Sequence, residues 1–167
     1  LDLIRHAERL GFDSAWTAEA WGNDAVTTAT WVAAKTETIK VGTAIMQIPA
    51  RTPAMTAMTA TTLNQLSNGR FKLGLGPSGP QVVEGWHGVP YGKPLTRSRE
   101  YIEIIRLILS GERVNYQGEV FQLKGFRLPF TPVRPRVPVY VASLGPQNLR
   151  LTGELADGWL PIYLDAT

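Results

Sequence analysis

No cysteine occurs among the 167 residues. That excludes a disulfide framework, a thiolate metal site and a cysteine nucleophile. Histidine is nearly as scarce, at two residues, and no His, Asp and Glu group has the spacing of metal ligands, so no metal is expected. No apolar run approaches the roughly 20 residues that cross a bilayer. No secretory pattern opens the chain. A cytoplasmic protein that uses no membrane is the expectation. Charge is also sparse: 19% of residues are charged and the formal net charge is +3. The basic residues are scattered apart from a loose group at Arg127, Arg134 and Arg136. Nucleic-acid binding would need a denser basic stripe with interleaved aromatics, so no such partner is expected. A mildly basic chain suits a phosphorylated small molecule instead.

What is present is an ordinary globular balance, 44% hydrophobic, in a chain long enough for one core. The stretch from Leu1 to Gly11 reads as a helix, with Asp2 as cap, Leu3, Ile4, Ala7 and Leu10 inward and Gly11 as terminator. "FDSAWTA" reads as a strand. "DAVTTATWVAAKT" is a helix capped by Asp24, with Val26, Ala29, Val32 and Ala33 inward. "TIKVGTAIMQ" is a continuous apolar strand, as expected for one buried on both faces. Thr52 as cap and Pro53 in the first turn begin the next helix, and Gly69 ends it. "RFKLGLG" is a strand, Pro77 to Pro94 a loop, and "LTRSREYIEIIRLILSG" a long amphipathic helix with Tyr101, Ile104, Ile105 and Ile108 inward. "VNYQGEVFQL" is a hairpin turning at Gln117-Gly118. After the loop "RLPFTPVRPRVP" come the strand "VYVAS", the helix "GPQNLRLTGELA" and the strand "DGWLPIY".

Strict alternation of short buried strands and helices predicts a parallel sheet with right-handed crossovers. A doubly wound sheet and a β/α barrel both meet that description. A whole barrel takes about 250 residues and eight strands. About five strands are legible here, plus a small hairpin insertion. The chain opens on Leu1 and closes just after a strand-like segment. As a barrel, residues 1–167 are therefore expected to be one segment of a longer domain, truncated at both ends.

Gly74, Gly76 and Gly79 match G-x-G-x-x-G, the dinucleotide fingerprint. The context does not match. In that fingerprint the glycines lead directly into a helix, and an acidic residue ends a strand about 20 residues later. Here a polar loop intervenes, and Glu100 and Glu103 fall inside a predicted helix. Two readings remain: a plain glycine turn, or a ligand loop at the C-terminal end of a parallel strand, where barrels keep their sites. In the second, Gly76 and Gly79 admit close backbone approach and Ser78 offers a hydrogen bond. "SLGPQN" repeats the device, a strand and a glycine at a helix start, which suits phosphate. Capping by Ser143 with Pro146 in the first turn explains it equally.

Together, "LGFDSAWTAEAWGND", "IKVGTAIMQIPARTPAMTAMTATTLNQLSNGRFKLGLGPSGPQVVEGWHGVPYGKP" and "GPQNLRLTGELADGW" resemble the bacterial luciferase-like superfamily. More narrowly they resemble its oxidoreductases that use the deazaflavin coenzyme F420. The resemblance implies a partial (β/α)8 TIM barrel with a flavin-type cofactor in its mouth. It implies a non-prolyl cis peptide at Ala44-Ile45, backing a bent ring. It places Gly76, Pro77, Ser78 and Gly79 along the ring, and Ser143, Leu144 and Gly145 at the cofactor phosphate. Where relatives have an Asp-His pair near the reactive ring, this chain has Ala18 and Glu19. Glu19 is then the leading acid or base, with a pKa raised by partial desolvation. Pairing with Arg51 is the structural alternative. Trp21 is a candidate aromatic wall and His87 an alternative acid or base.

The expected activity is hydride transfer between coenzyme F420 and a small organic substrate, either an alcohol or carbonyl compound or an activated alkene. An FMN-dependent monooxygenase of the same superfamily is the alternative enzyme. A non-catalytic flavin-binding relative or truncated remnant is the alternative outside catalysis. A homodimer is expected for the full-length protein.

Overall fold

The computed structural model describes residues 1–129 and 137–162. Arg134, Arg136 and most of the proline-bearing loop lie outside the described residues. Helix α1 (Asp2–Arg9) leads to strand β1 (Ser14–Thr17), helix α2 (Ala25–Ala34) and strands β2 (Lys40–Thr43) and β3 (Met46–Gln47). A 3-10 turn (Ile48–Ala50) then precedes α3 (Pro53–Leu66), β4 (Phe71–Gly76) and α4 (Pro80–Gly85). The long α5 (Pro94–Leu109) is followed by a hairpin, β5 (Val114–Gln117) and β6 (Gln122–Phe126). Strand β7 (Val139–Val141), helix α6 (Pro146–Leu155) and strand β8 (Gly158–Trp159) complete the order.

The main sheet is parallel and runs β1-β2-β4-β7-β8, with β3 also on β4. Its order never reverses, so it has no switch point of the doubly wound kind. This is an arc of consecutive β/α units of a barrel. The hairpin forms its own two-stranded sheet.

Alternation along the strands separates the two faces of the arc. Val41, Phe71, Leu73, Leu75, Val139 and Val141 are buried in one cluster with Ala29 and Val32 of α2, Ala57 and Leu63 of α3, and Ile102 and Ile105 of α5. The other face carries Trp16, Lys72 and Tyr140, none of them fully buried. Trp16 and Tyr140 meet edge-on at 5.1 Å, with Lys72 Nζ 5.6 Å from each ring centroid. Their partners in register are glycines, Gly42 beside Trp16 and Gly158 beside Tyr140. A Cβ at Gly42 would lie 2.4 Å from the Trp16 ring. The large rings thus need the missing side chains next to them.

Helices α2 and α3 start at side-chain caps. Asp24 Oδ1 accepts from Thr27 N at 2.8 Å at the head of α2, and Thr52 Oγ1 from Met55 N at 3.2 Å at the head of α3. Helix α3 ends as Asn68 and Gly69 turn to positive φ, with Gly69 N donating to Asn64 O at 2.7 Å. Tyr101, Ile104 and Ile105 of α5 are fully buried, and the Tyr101 hydroxyl meets Thr56 Oγ1 at 2.5 Å, pinning α5 to α3.

Several sequence expectations are corrected. Leu3 of α1 and Leu10 just after it are exposed, because no described element covers that face, and Asp2 lies inside the helix without capping it. The strand expected from Thr38 to Gln47 is interrupted by a cis Ala44-Ile45 peptide that separates β2 from β3. The loop from Pro77 to Pro94 contains α4. The hairpin turns over Gly118 to Phe121, because the buried Glu100 carboxylate accepts from the backbone N–H of Glu119, Val120 and Phe121 at 2.7, 2.9 and 2.9 Å. Gly145, not Ser143, stands at the head of α6, since Ser143 Oγ is engaged with Thr152 Oγ1 at 2.9 Å.

Candidate active site

A cleft of about 680 Å³ opens at the C-terminal ends of the strands. Four turns at the strand ends contribute residues marked in the sequence. Glu19 comes from the loop after β1, and Ala44 and Ile45 from the cis bulge after β2. Gly76, Pro77, Ser78 and Gly79 come from the turn after β4. Ser143, Leu144 and Gly145 come from the turn after β7. The structure thus brings ten of the residues singled out in the sequence around one space. The Gly76 position is tight: a Cβ there would sit 2.3 Å from Ile45 Cδ1. Its missing side chain therefore makes room for Ile45, which itself faces the cleft. Ser78 adopts φ +58°, and Tyr91 Oη donates to its carbonyl at 3.4 Å.

Ala18, Trp21 and His87 do not line the cleft. Ala18 is exposed, and Trp21 is 70% exposed on the loop beyond Glu19. The aromatic wall expected of Trp21 is not formed, because that loop turns inward at Glu19 and outward again. His87 follows α4 and is half-buried, with Nε2 2.9 Å from Gln47 Oε1.

Glu19 is bound on both carboxylate oxygens. Arg51 Nη1 and Nη2 donate to Oε1 and Oε2 at 2.6 and 2.8 Å, a two-pronged ion pair. Ala25 N donates to Oε2 at 2.9 Å and Gln47 N to Oε1 at 3.1 Å. Burial pushes its pKa up. The Arg51 guanidinium and the two backbone N–H groups outweigh burial and hold it below the usual carboxylate value. This corrects the raised pKa expected from the sequence: Glu19 is held as a carboxylate, and its bonded oxygens form the floor of the cleft. Arg51 is displaced upward by the same pairing.

Near the other end, α6 begins with Gly145 and Pro146, leaving the N–H groups of Gln147 and Asn148 without intrahelical partners. Asn148 lines the cleft, and its buried Oδ1 has no hydrogen-bond partner. Tyr91, Asn148, Leu160 and Ile162 also line the cleft and were not singled out in the sequence. Tyr91 carries no sequence signal of its own, Asn148 closes the "SLGPQN" stretch, and the apolar pair follows the last strand.

A family model described as luciferase-like monooxygenase matches residues 1–166. The chain belongs to that family. It is 45% identical to a Mycobacterium tuberculosis protein assigned as a coenzyme F420-dependent oxidoreductase, over 97% of this chain and 50% of that protein. It is 39% identical to the 5,10-methylenetetrahydromethanopterin reductase of Archaeoglobus fulgidus, over 94% of this chain and 47% of that enzyme. Among solved structures, the coenzyme F420-dependent tetrahydromethanopterin reductase of Methanopyrus kandleri matches with a TM-score of 0.88 and 30% identity, covering 96% of this chain and 50% of that one. This luciferase-like chain spans about half the length of the relatives it matches. The cis peptide at Ala44-Ile45 stands where the luciferase-like resemblance implies one. Among the described residues no acidic or histidine cluster suits a metal ion, and no helix is long and apolar enough to cross a membrane.

Proposed function

We propose that the protein containing this segment transfers a hydride between coenzyme F420 and a small organic substrate, an alcohol or carbonyl compound or an activated alkene. The observation that carries the reading is the cleft itself, formed where a barrel places its site and lined by backbone-rich turns. Its volume of about 680 Å³ suits a ring system with part of its tail. The donor set fits an anionic tail: the N–H groups of Gln147 and Asn148 at the head of α6 have no intrahelical partner. The relatives that use coenzyme F420 support the choice of cofactor.

When bound, the deazaflavin supplies hydride exchange at its C5 carbon; the rest is the protein's contribution. The turns after β4 and β7 orient the ring and its tail. Ile45, Leu144, Leu160 and Ile162 provide apolar wall that excludes water. Glu19, fixed by four donors as a carboxylate paired with Arg51, holds the shape of the cleft and does not serve as a proton donor near neutral pH. Residues 1–167 act as one segment of a barrel domain, and the full-length protein works on a small molecule as a homodimer.

The test is a fluorescence titration of the full-length protein with coenzyme F420 and, in parallel, with FMN. Deazaflavin binding with FMN ignored supports the reading. Preference for FMN overturns it in favour of oxygen-dependent chemistry, and binding of neither overturns it in favour of a non-catalytic relative.

A further inference from the structure

Gln47 is the last residue of β3, 1% exposed, and both ends of its amide are engaged. Nε2 donates to the Ala20 carbonyl at 2.7 Å. Oε1 lies 2.9 Å from His87 Nε2. These two contacts fix each other. The Ala20 carbonyl only accepts, so the amide nitrogen has to face it. The amide oxygen therefore faces His87, and an amide oxygen also only accepts. His87 Nε2 must then carry a proton. The reversed amide would set oxygen against oxygen at Ala20. The other histidine tautomer would set two lone pairs against each other at Gln47.

The same residue reaches the cleft. Gln47 N donates to Glu19 Oε1 at 3.1 Å, so the residue whose side chain orients His87 also holds the Glu19 carboxylate through its backbone. His87 Nδ1 makes no hydrogen bond among the described residues. In the neutral ring, Nδ1 is therefore the nitrogen without a proton.

We propose that Gln47 is a positioning residue: it fixes His87 as the tautomer with a protonated Nε2, leaves Nδ1 as the unprotonated nitrogen of the neutral ring, and ties the α4 segment to Glu19.

The experiment uses the full-length protein with ¹⁵N-labelled histidine, and His87→Gln to assign the His87 signals. The neutral ring is expected to show a protonated Nε2, an unprotonated Nδ1 and a slowly exchanging Nε2 proton. In Gln47→Met, which removes both contacts in a side chain of similar length, that proton signal is lost and the two nitrogen shifts move toward each other. A protonated Nδ1 in the parent, or an unchanged spectrum in Gln47→Met, overturns the proposal. The parent spectrum decides this even where the variant fails to fold. If the titration shows no deazaflavin binding, the functional reading fails, and the spectrum still decides the tautomer.

Discussion

At the scale of the residue, Glu19 and Arg51 decide how the site responds to pH. Neither side chain is more than one-fifth exposed, and each oxygen of the carboxylate has two donors. Removing the cation leaves a buried carboxylate with only backbone N–H groups. Arg51→Ala is therefore expected to cost about 2–4 kcal/mol near neutral pH. The sign of its pH dependence follows from the lowered pKa of Glu19. A carboxyl depressed in the folded state contributes stability above its unfolded pKa and loses it as pH falls through the folded value. The difference between parent and variant should therefore shrink as the pH falls below that of an ordinary carboxylate. Urea unfolding of both proteins at neutral and acidic pH measures it. A gap that stays constant would remove Glu19 from the account. The pairing itself was legible in the sequence only as an alternative, since nothing in "TAEA" or "PART" says that 32 residues of chain bring Glu19 and Arg51 to within 2.6 Å. Desolvation raises a carboxyl's pKa and a paired cation lowers it, and only the geometry tells which prevails.

At the scale of the element, local chemistry explains why most boundaries were legible and a few were not. Asp24 and Thr52 cap their helices because a short side-chain oxygen before an apolar run has little else to bond. Helix α4 was missed because its six residues sit among glycines and prolines that signal a loop. The break at Ala44-Ile45 leaves no mark on an apolar run and was reached only through family resemblance. The hairpin turn was misplaced because its anchor is distant in sequence. Glu100 collects three backbone N–H groups, and these bonds to it outweigh burial and hold its pKa low. Glu100→Ala should release the turn, speeding amide exchange at Glu119, Val120 and Phe121 and costing about 2–3 kcal/mol. Gly118→Ala tests the same contact from the other side, because its Cβ would lie 2.3 Å from the Glu100 carboxylate. Exchange should quicken at the same three amides. Unchanged protection in both variants would mean that the strands, not the carboxylate, hold the hairpin.

At the scale of the whole molecule, the sheet is an open arc. Strands β1 and β8 each have a single neighbour among the described residues, and a parallel edge offers unpaired N–H and C=O groups. The face opposite the helices carries Trp16, Lys72 and Tyr140, which a closed barrel would cover with side chains from further strands. The helical side adds the exposed Leu3 of α1 and Leu10 just after it. A folded chain with two bare edges and such faces should associate with itself when prepared alone. Gel filtration of residues 1–167 is expected to show apparent mass rising with concentration. A dye that fluoresces on apolar surface should bind this chain and be largely excluded from the full-length protein. Glu19, Arg51, Gln47 and His87 lie within one hydrogen-bonded group inside the arc, so their local geometry does not need the closing strands. On the proposed barrel reading, cofactor affinity is expected to need them, because further strands would cover more of the ring. The segment should therefore bind coenzyme F420 at least 100-fold more weakly than the parent protein, about 2.7 kcal/mol. A compact segment that stays monomeric, melts cooperatively and matches the parent's affinity would show that the arc is a complete unit and that the missing wall contributes nothing.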